Sequence, residues 1–206
     1  MDELPLYTRQ VLESLRGPVE DGVVRIARSG GVLSYPCRFS LVAAMNPCPC
    51  GYLGDVRRTC RCTEMQIANY TGRLSGPLLD RFDMQVTMHR ATREELLGAR
   101  AGESSQAIAV RVEAARQAQL GRYGSALLTN ASVPKSVLEK TMNLSAASLR
   151  TLGLAVDALG LSGRGVNRVL RVARTIADLA CEKTVTEDHL IEAISLRAGS
   201  REDIAA

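Results

Sequence analysis

The chain has 206 residues, a formal net charge of +4 and no tryptophan, with 46% hydrophobic but only 3% aromatic residues. This length allows one large domain or two small ones, and the mild basic excess permits an anionic partner without requiring one. The first residues show no signal-peptide pattern and no uncharged apolar run reaches the roughly 18 residues that span a bilayer, so we expect a cytoplasmic protein that uses no membrane.

The first ninety residues mix helical and extended patterns. Apolar residues at helical spacing predict helices, apolar runs around Ser29-Gly30-Gly31 predict a hairpin, and a continuous apolar run is typical of a strand buried in a parallel sheet. The predicted elements are a helix over 7–15, a β-hairpin over 23–35, a buried strand over Phe39–Ala44, a helix over Glu64–Leu74 and a short strand over Met84–Met88.

From Thr92 onward the pattern is helical, with joints rich in Gly, Ser and Asn. The predicted helices cover 92–98, 105–120, 134–142, 146–159, 163–180 and 187–197. The fold class is therefore α/β followed by all-α, and we place the domain boundary near Ala91, between domains 1–91 and 92–206.

Two cysteine pairs follow the predicted buried strand. Cys48-Pro49-Cys50 and Cys60-Arg61-Cys62 form a CxC…CxC arrangement, and four thiolates satisfy a tetrahedral zinc site. The spacing departs from the usual CxxC, and four reduced cysteines without metal are the alternative. A disulfide is disfavoured in a reducing compartment. Cys37 and Cys181 are isolated and are expected in the core.

Catalysis by a cysteine and a histidine is not predicted. The chain contains two histidines, His89 and His189, and both lie beside apolar residues without an evident partner. A nucleophilic cysteine needs a neighbouring base or cation that lowers its pKa.

Two polar positions coincide with places where a parallel sheet binds ligands. Asn46 comes just after the predicted buried strand, where side chains at the carboxyl end of a strand can contact a ligand. Asp2 and Glu3 occupy the same kind of position if a strand precedes them, and two acids there can hold Mg²⁺ and orient a water. The alternatives are an asparagine that caps a turn and a frayed acidic terminus.

Several arginines are candidates for anion contacts. Arg164, Arg168 and Arg171 share one helical face, which is usually a solvated surface unless a phosphate lies against it. Arg81 lies between two aspartates, so it forms a local ion pair or points at a neighbouring molecule. Arg25 lies within the predicted hairpin.

Four stretches carry a family resemblance: Asp2-Glu3-Leu4-Pro5, AAMNPCPCGYLGD at 43–55, SGPLLDRFD at 75–83 and RVLRVARTIADLA at 168–180. Together they resemble the YifB/ComM family of magnesium-chelatase-like AAA+ ATPases, in the right order and over essentially the whole chain. The resemblance implies the second half of an AAA+ parallel-sheet core with a β-hairpin insertion, followed by a helical lid.

The resemblance also implies roles for individual residues. Asp2 and Glu3 look like the Walker B acids, for Mg²⁺ and for the attacking water, and Asn46 looks like sensor 1. Arg81 looks like an arginine finger given to the adjacent subunit, and Arg164 looks like the sensor 2 arginine. ATP and Mg²⁺ would be the ligands of the parent protein, whereas zinc is predicted from the arrangement of the cysteines themselves.

One departure from the family pattern limits what the chain can do alone. No G-x-x-x-x-G-K-[ST] loop exists in the sequence, and this loop supplies the amides and the lysine that hold the phosphates. We therefore expect the C-terminal portion of a longer ATPase, inactive in isolation.

Three functions remain open at this point. The first is an ATP-driven homo-hexameric motor acting on DNA, as in branch migration or helicase activity, in which Arg25 and Arg28 of the hairpin contact DNA. The second is a chelatase subunit that acts on a porphyrin-handling partner. The third is a non-enzymatic, zinc-stapled adaptor.

Overall fold

The computed structural model describes residues 1–88, 90–98 and 102–205, with the backbone alone for 198–205. Setting aside the last four residues, the chain divides into two compact units, Met1–Phe82 and Asp83–Glu202. The helices are α1 (Arg9–Ser14), α2 (Arg16–Asp21), α3 (Glu64–Thr71), α4 (Gly76–Leu79), α5 (Arg93–Leu96), α6 (Ser105–Tyr123), α7 (Lys135–Met142), α8 (Ala146–Leu159), α9 (Gly163–Leu179) and α10 (Glu187–Ala205). The strands are β1 (Val23–Arg28) and β2 (Gly31–Pro36). In the described part of the chain, no helix is at once long and apolar enough to traverse a bilayer.

Short helices and a small leucine core build the first unit. Local caps determine where the helices begin: the Thr63 hydroxyl accepts the Gln66 N–H at the start of α3, and the Gln66 side chain accepts the Thr63 N–H in return. The buried side chains of the core are Leu4, Leu12, Leu74 and Leu78. The packing of α1, α4 and the first residues around one centre follows from this core.

Strands β1 and β2 form the predicted hairpin, which is confirmed. They pair antiparallel in a register that sets Arg25 opposite Ser34 and Arg28 opposite Gly31. Arg25 and Arg28 are three positions apart on one strand, so their side chains lie on opposite faces of the ribbon. Arg25 also pairs with Asp21 at 2.9 Å.

The prediction of a buried strand over Phe39–Ala44 is wrong in this structure. The segment has no regular β-strand, and the side chains of Phe39 and Val42 are 49% and 79% exposed. Among the described residues its backbone partners lie at Met1–Leu4, on one edge alone, whereas a buried parallel strand has neighbours on both sides. Met84–Met88 likewise forms no strand and is largely exposed.

The second unit is helical, as predicted, and packs around α9. Val169, Ala173 and Ala177 of this helix are buried against Leu138 of α7 and Leu190 of α10. The helix presents an apolar stripe because these residues recur at helical spacing.

A buried polar network lies beside this core. The carboxylate of Asp178, 2% exposed, accepts hydrogen bonds from Arg122, Asn130 and Arg174. Each of these groups has a partner, which a buried charge requires.

Candidate functional site

The first residues and the run after the hairpin lie side by side in the first unit. The Met1 ammonium donates to the Val42 carbonyl at 2.6 Å, the Ala44 N–H donates to the Met1 carbonyl at 2.9 Å, and the Leu4 N–H donates to the Ala44 carbonyl at 2.9 Å. Both segments run in the same direction, as in a short parallel pairing. Their carboxyl ends therefore lie at the same end of the pairing, with Glu3 near the end of the first segment and Asn46 two residues beyond the second.

A cavity of about 500 Å³ opens at this meeting point. Glu3 and Asn46, which the sequence analysis singled out separately, both line it. The rest of the polar lining comes from Gln66, Asn69, Tyr70 and Arg73, on and just beyond α3. These four residues were not predicted as site residues from the sequence, although their spacing of three, one and three residues is that of one face of a helix. The cavity thus joins an acid, amides, a phenol and a guanidinium.

The loop around Asn46 is held by its neighbours. Burial raises the pKa of Tyr70, and the neighbouring backbone N–H of Asn46 acts in the opposite direction. Gly51, at φ 78°, passes beneath the Asn46 side chain, where an added Cβ would lie 3.8 Å from its carboxamide carbon. The Gly51 N–H closes a turn on the Cys48 carbonyl at 3.0 Å. Asn46 is exposed in a loop that Tyr70 and Gly51 keep in place.

The two acids adopt an unusual local backbone. Glu3 has φ 48° and ψ 49°, in the left-handed region that side chains other than glycine rarely enter. Its N–H donates to the Asp2 carboxylate at 2.9 Å. Both side chains are exposed, and Glu3 alone of the two lines the cavity. Strain of this kind is concentrated at functional sites, where it positions a side chain.

The four cysteines of the two pairs converge. The Cys48 sulfur lies 3.4 Å from that of Cys50 and 3.7 Å from that of Cys60, and Cys50 and Cys60 are 3.6 Å apart. With Cys62, all four sulfurs lie within 4.8 Å of one another. Sulfur ligands of a tetrahedral ion bound at about 2.3 Å stand about 3.8 Å apart, so the donor set fits a four-coordinate metal.

The surroundings of Cys50 and Cys62 shift the pKa values of these two thiols in opposite directions. Backbone N–H groups of Arg61 and Tyr52 lower the pKa of Cys50 to about 6, whereas burial raises the pKa of Cys62 to about 12. A thiolate is the form that binds a metal, so metal binding at this cluster releases protons. Cys50 and Cys62 also line the cavity that contains Asn46.

Arg81 lies inside the first unit, 8% exposed. Its guanidinium pairs with the Glu20 carboxylate and donates to the carbonyls of Arg16, at 3.2 Å, and Pro77, at 2.5 Å. Of the two alternatives considered for Arg81, an ion pair is present, although its partner is Glu20 and not a flanking aspartate. The role as an arginine finger stays a prediction, and it requires that this guanidinium leave Glu20.

The three arginines at the start of α9 have different environments. Arg164 is exposed on the first turn, Arg168 pairs with Asp83, and Arg171 donates to the carbonyls of Asn130 and Val133. The interpretation as a solvated row is therefore wrong for Arg171, because its guanidinium satisfies backbone acceptors in the unit.

The remaining cysteines and histidines form no catalytic pair within the described residues. Cys37 is half-buried, and Cys181 is exposed, at φ 60°, so the expectation of a core position is wrong for Cys181. His189 accepts the Thr186 N–H at 3.1 Å and so caps α10. His89 lies outside the described residues.

Comparison with known proteins matches the chain to two family models. Residues 1–96 match the model of the magnesium chelatase subunit ChlI, and residues 102–197 match that of the ChlI C-terminal region. The chain is 42% identical over 198 residues to an uncharacterized protein of Mycobacterium tuberculosis, covering 96% of this chain and 39% of that protein. It is 40% identical over 201 residues to the competence protein ComM of Haemophilus influenzae, covering 96% and 38%. It is also 40% identical over 203 residues to the uncharacterized protein YifB of Escherichia coli, covering 98% and 39%.

These matches place the chain among magnesium-chelatase-like proteins. Within that class, the chain belongs to the YifB/ComM family. It spans about two fifths of the length of the curated relatives that it matches.

Proposed function

We propose that this chain is the C-terminal part of an AAA+ ATPase, in which residues 1–91 complete the ATPase core and 92–206 form the helical lid. The observation that carries the proposal is the cavity shared by Glu3 and Asn46. The two residues come from chain segments about forty positions apart, and the pairing of Met1–Leu4 with Val42–Ala44 brings them together. An acid and an amide at the adjoining ends of two paired backbone segments suit a bound nucleotide phosphate and its attacking water.

The proposed roles follow the chemistry of phosphoryl transfer. Asp2 binds Mg²⁺, Glu3 orients the attacking water, and Asn46 contacts the γ-phosphate. Arg81, released from Glu20, reaches the nucleotide of a neighbouring subunit in a homo-hexamer, and Arg164 contacts the phosphates from the lid. Phosphoryl transfer depends on such positioning and charge stabilisation more than on covalent chemistry.

ATP hydrolysis by the parent protein, with its P-loop segment, tests this proposal. Glu3→Gln keeps the size of the side chain and removes its charge, and we expect hydrolysis to fall by about 100-fold or more. Glu64→Gln is the matched control, because Glu64 is exposed on α3 and does not line the cavity. Equal activity of the Glu3→Gln variant and the wild type would contradict the role of Glu3.

The isolated 206 residues provide a second test. Since the sequence has no P-loop, we expect no ATP hydrolysis by this chain alone. Hydrolysis that the isolated chain performs and that Glu3→Gln abolishes would refute the proposal that the nucleotide site is completed by another segment.

We propose zinc as the metal of the cysteine cluster. Four thiolates favour Zn²⁺ over the hard cations, which prefer oxygen ligands, and the sulfur separations of 3.4–3.7 Å suit its tetrahedral geometry. A closed four-sulfur site is structural and leaves no position for a substrate. One zinc per chain by elemental analysis is the expected result. Zinc binding by a parent protein that binds no nucleotide would favour the adaptor function instead.

We propose that DNA is the substrate on which the motor acts. The hairpin is exposed and carries Arg25 and Arg28, and one curated relative is named as a competence protein. Because Arg25 is paired with Asp21 on one face, Arg28 on the other face is the stronger contact. We expect Arg28→Ala to weaken DNA binding and to lower its salt dependence, measured by fluorescence anisotropy. If DNA affinity changes neither with salt concentration nor with Arg28→Ala, the hairpin does not contact DNA.

A further inference from the structure

The cysteine loop, residues Cys48–Cys62, carries charges that the proposed function does not use. Arg57, Arg58 and Arg61 are exposed, and Asp55 is the acidic residue between the two cysteine pairs. Val56, at the tip of the loop, is 99% exposed. The loop therefore presents three cations and one anion on a short excursion of the backbone.

The tip of this loop is ordered by its own contacts. One carboxylate oxygen of Asp55 accepts the N–H groups of Arg57 at 2.7 Å and of Arg58 at 2.9 Å. The Arg58 guanidinium lies over the Tyr52 ring, 5.2 Å from its centroid, and donates to the Tyr52 hydroxyl at 2.7 Å. The converging cysteines hold both ends of the loop. A cation that is ordered before binding loses less conformational freedom when a ligand arrives.

A simpler role for these arginines would be to neutralise the thiolates. The hydrogen bonds to the sulfurs argue against it, because their described nitrogen donors are backbone N–H groups. These run from Tyr52 and Arg61 to Cys50, from Cys50 to Cys62 and from Cys62 to Cys60. The exposed guanidinium groups of the loop remain available to a ligand outside the metal site.

We propose that the tip of the cysteine loop binds nucleic-acid phosphates through Arg57, Arg58 and Arg61. This inference rests on the proposed action on DNA and adds a contact separate from the hairpin. Guanidinium groups bind phosphate oxygens through paired hydrogen bonds, and the stack on Tyr52 keeps one of them extended over an aromatic ring. Such contacts position the protein on the backbone and do not read sequence. An acidic protein is the competing partner, and the test includes it.

The salt dependence of DNA binding by the zinc-loaded chain is the decisive measurement. Fluorescence anisotropy with a labelled duplex between about 50 and 200 mM salt yields the slope of log K against log[salt]. We expect Arg57→Ala/Arg58→Ala to lower the steepness of this slope by about 2, equally on unrelated sequences. The matched control, Arg116→Ala/Arg150→Ala, removes two exposed arginines from the second unit and is expected to leave the slope unchanged.

A second variant tests the remaining arginine of the loop. Arg61→Ala lies outside the turn that Asp55 holds, and we expect it to lower the steepness by about 1. Zinc content is measured on every variant. Unchanged slopes in zinc-loaded loop variants overturn the proposal. An equal loss of steepness in the Arg116→Ala/Arg150→Ala control also overturns it, because DNA binding would then depend on total charge alone.

Two further outcomes separate this inference from the proposed function. Binding of poly-glutamate through Arg57 and Arg58, with an unchanged DNA slope, identifies an acidic protein as partner and overturns the proposal. DNA binding that responds to Arg28→Ala and not to the loop variants overturns this inference alone. If the wild-type chain binds no DNA, the proposed loop contact and the proposed hairpin contact with DNA are both wrong.

Discussion

Replacing Asp178 by alanine should destabilise the second unit by about 3–5 kcal/mol. Asp178 is 2% exposed on α9. Its carboxylate accepts two hydrogen bonds from Arg122, at 2.5 and 2.9 Å, one from Asn130 at 2.8 Å and one contact from Arg174 at 3.0 Å. The network joins α6, α9 and the segment before α7.

The magnitude follows from the groups that the substitution leaves behind. Arg174 is 0% exposed. Without Asp178 its guanidinium would still donate to the carbonyls of Glu182 and Lys183, but it would have no counter-charge. Its Nε already lacks a hydrogen-bond partner among the described residues. The Arg122 side chain is 17% exposed and can recover part of its hydration. Each hydrogen bond to a charged group contributes about 1.5–3 kcal/mol, but the bonds are not additive, so the cost of one uncompensated buried charge sets the total.

Urea unfolding followed by far-UV circular dichroism measures this change in the free energy of unfolding. Hydrogen exchange of peptides from α9 assigns the effect to the second unit. Asp157→Ala is the control, because Asp157 is exposed on α8, and its effect should stay within about 0.5 kcal/mol. If Asp178→Ala costs less than about 1 kcal/mol and α9 exchanges as in the wild type, the buried carboxylate does not stabilise this unit and the reasoning is wrong.

Three smaller changes test other parts of the structure. Cys48→Ser should lower zinc content to well below one per chain, because Cys48 is a fully buried member of the four-sulfur cluster; Cys37→Ser should leave it unchanged, and equal zinc in both variants would contradict the site. Gly51→Ala should destabilise the first unit by about 1–2 kcal/mol in urea unfolding, since φ 78° strains a side chain, and a neutral effect would mean that the loop adopts another conformation. Leu78→Ala should cost about 2–5 kcal/mol in the same assay, because Leu78 is 1% exposed in the leucine core, and a loss below about 1 kcal/mol would place it outside that core.

Local signals in the sequence account for most of the helices. The helix predicted over 146–159 coincides with α8, because Ser145 caps its start and Gly160 ends it in a left-handed conformation. Helix α2 was missed, because Gly17 and Pro18 lie inside it and normally indicate a turn. Proline in the first turn of a helix lacks only an N–H that would be unpaired there, so tertiary context can accept it.

Helical periodicity could not predict which arginines are buried. Arg171 shares a face with Arg164, yet Arg171 donates to two carbonyls of the unit while Arg164 is exposed. The difference depends on which loop covers each turn of α9. Long side chains such as arginine reach backbone acceptors that are distant in sequence, and no local pattern records them.

The sequence by itself determined the family, the hairpin, the helical second half and the two cysteine pairs that form one cluster. These features depend on residue types at short spacing, which local sequence contains. The tertiary structure alone decided that Glu3, Asn46 and the polar face of α3 line one cavity, and that Arg81 pairs with Glu20. It also left Phe39–Ala44 exposed on one side, because burial of a strand depends on neighbours that its own sequence does not specify.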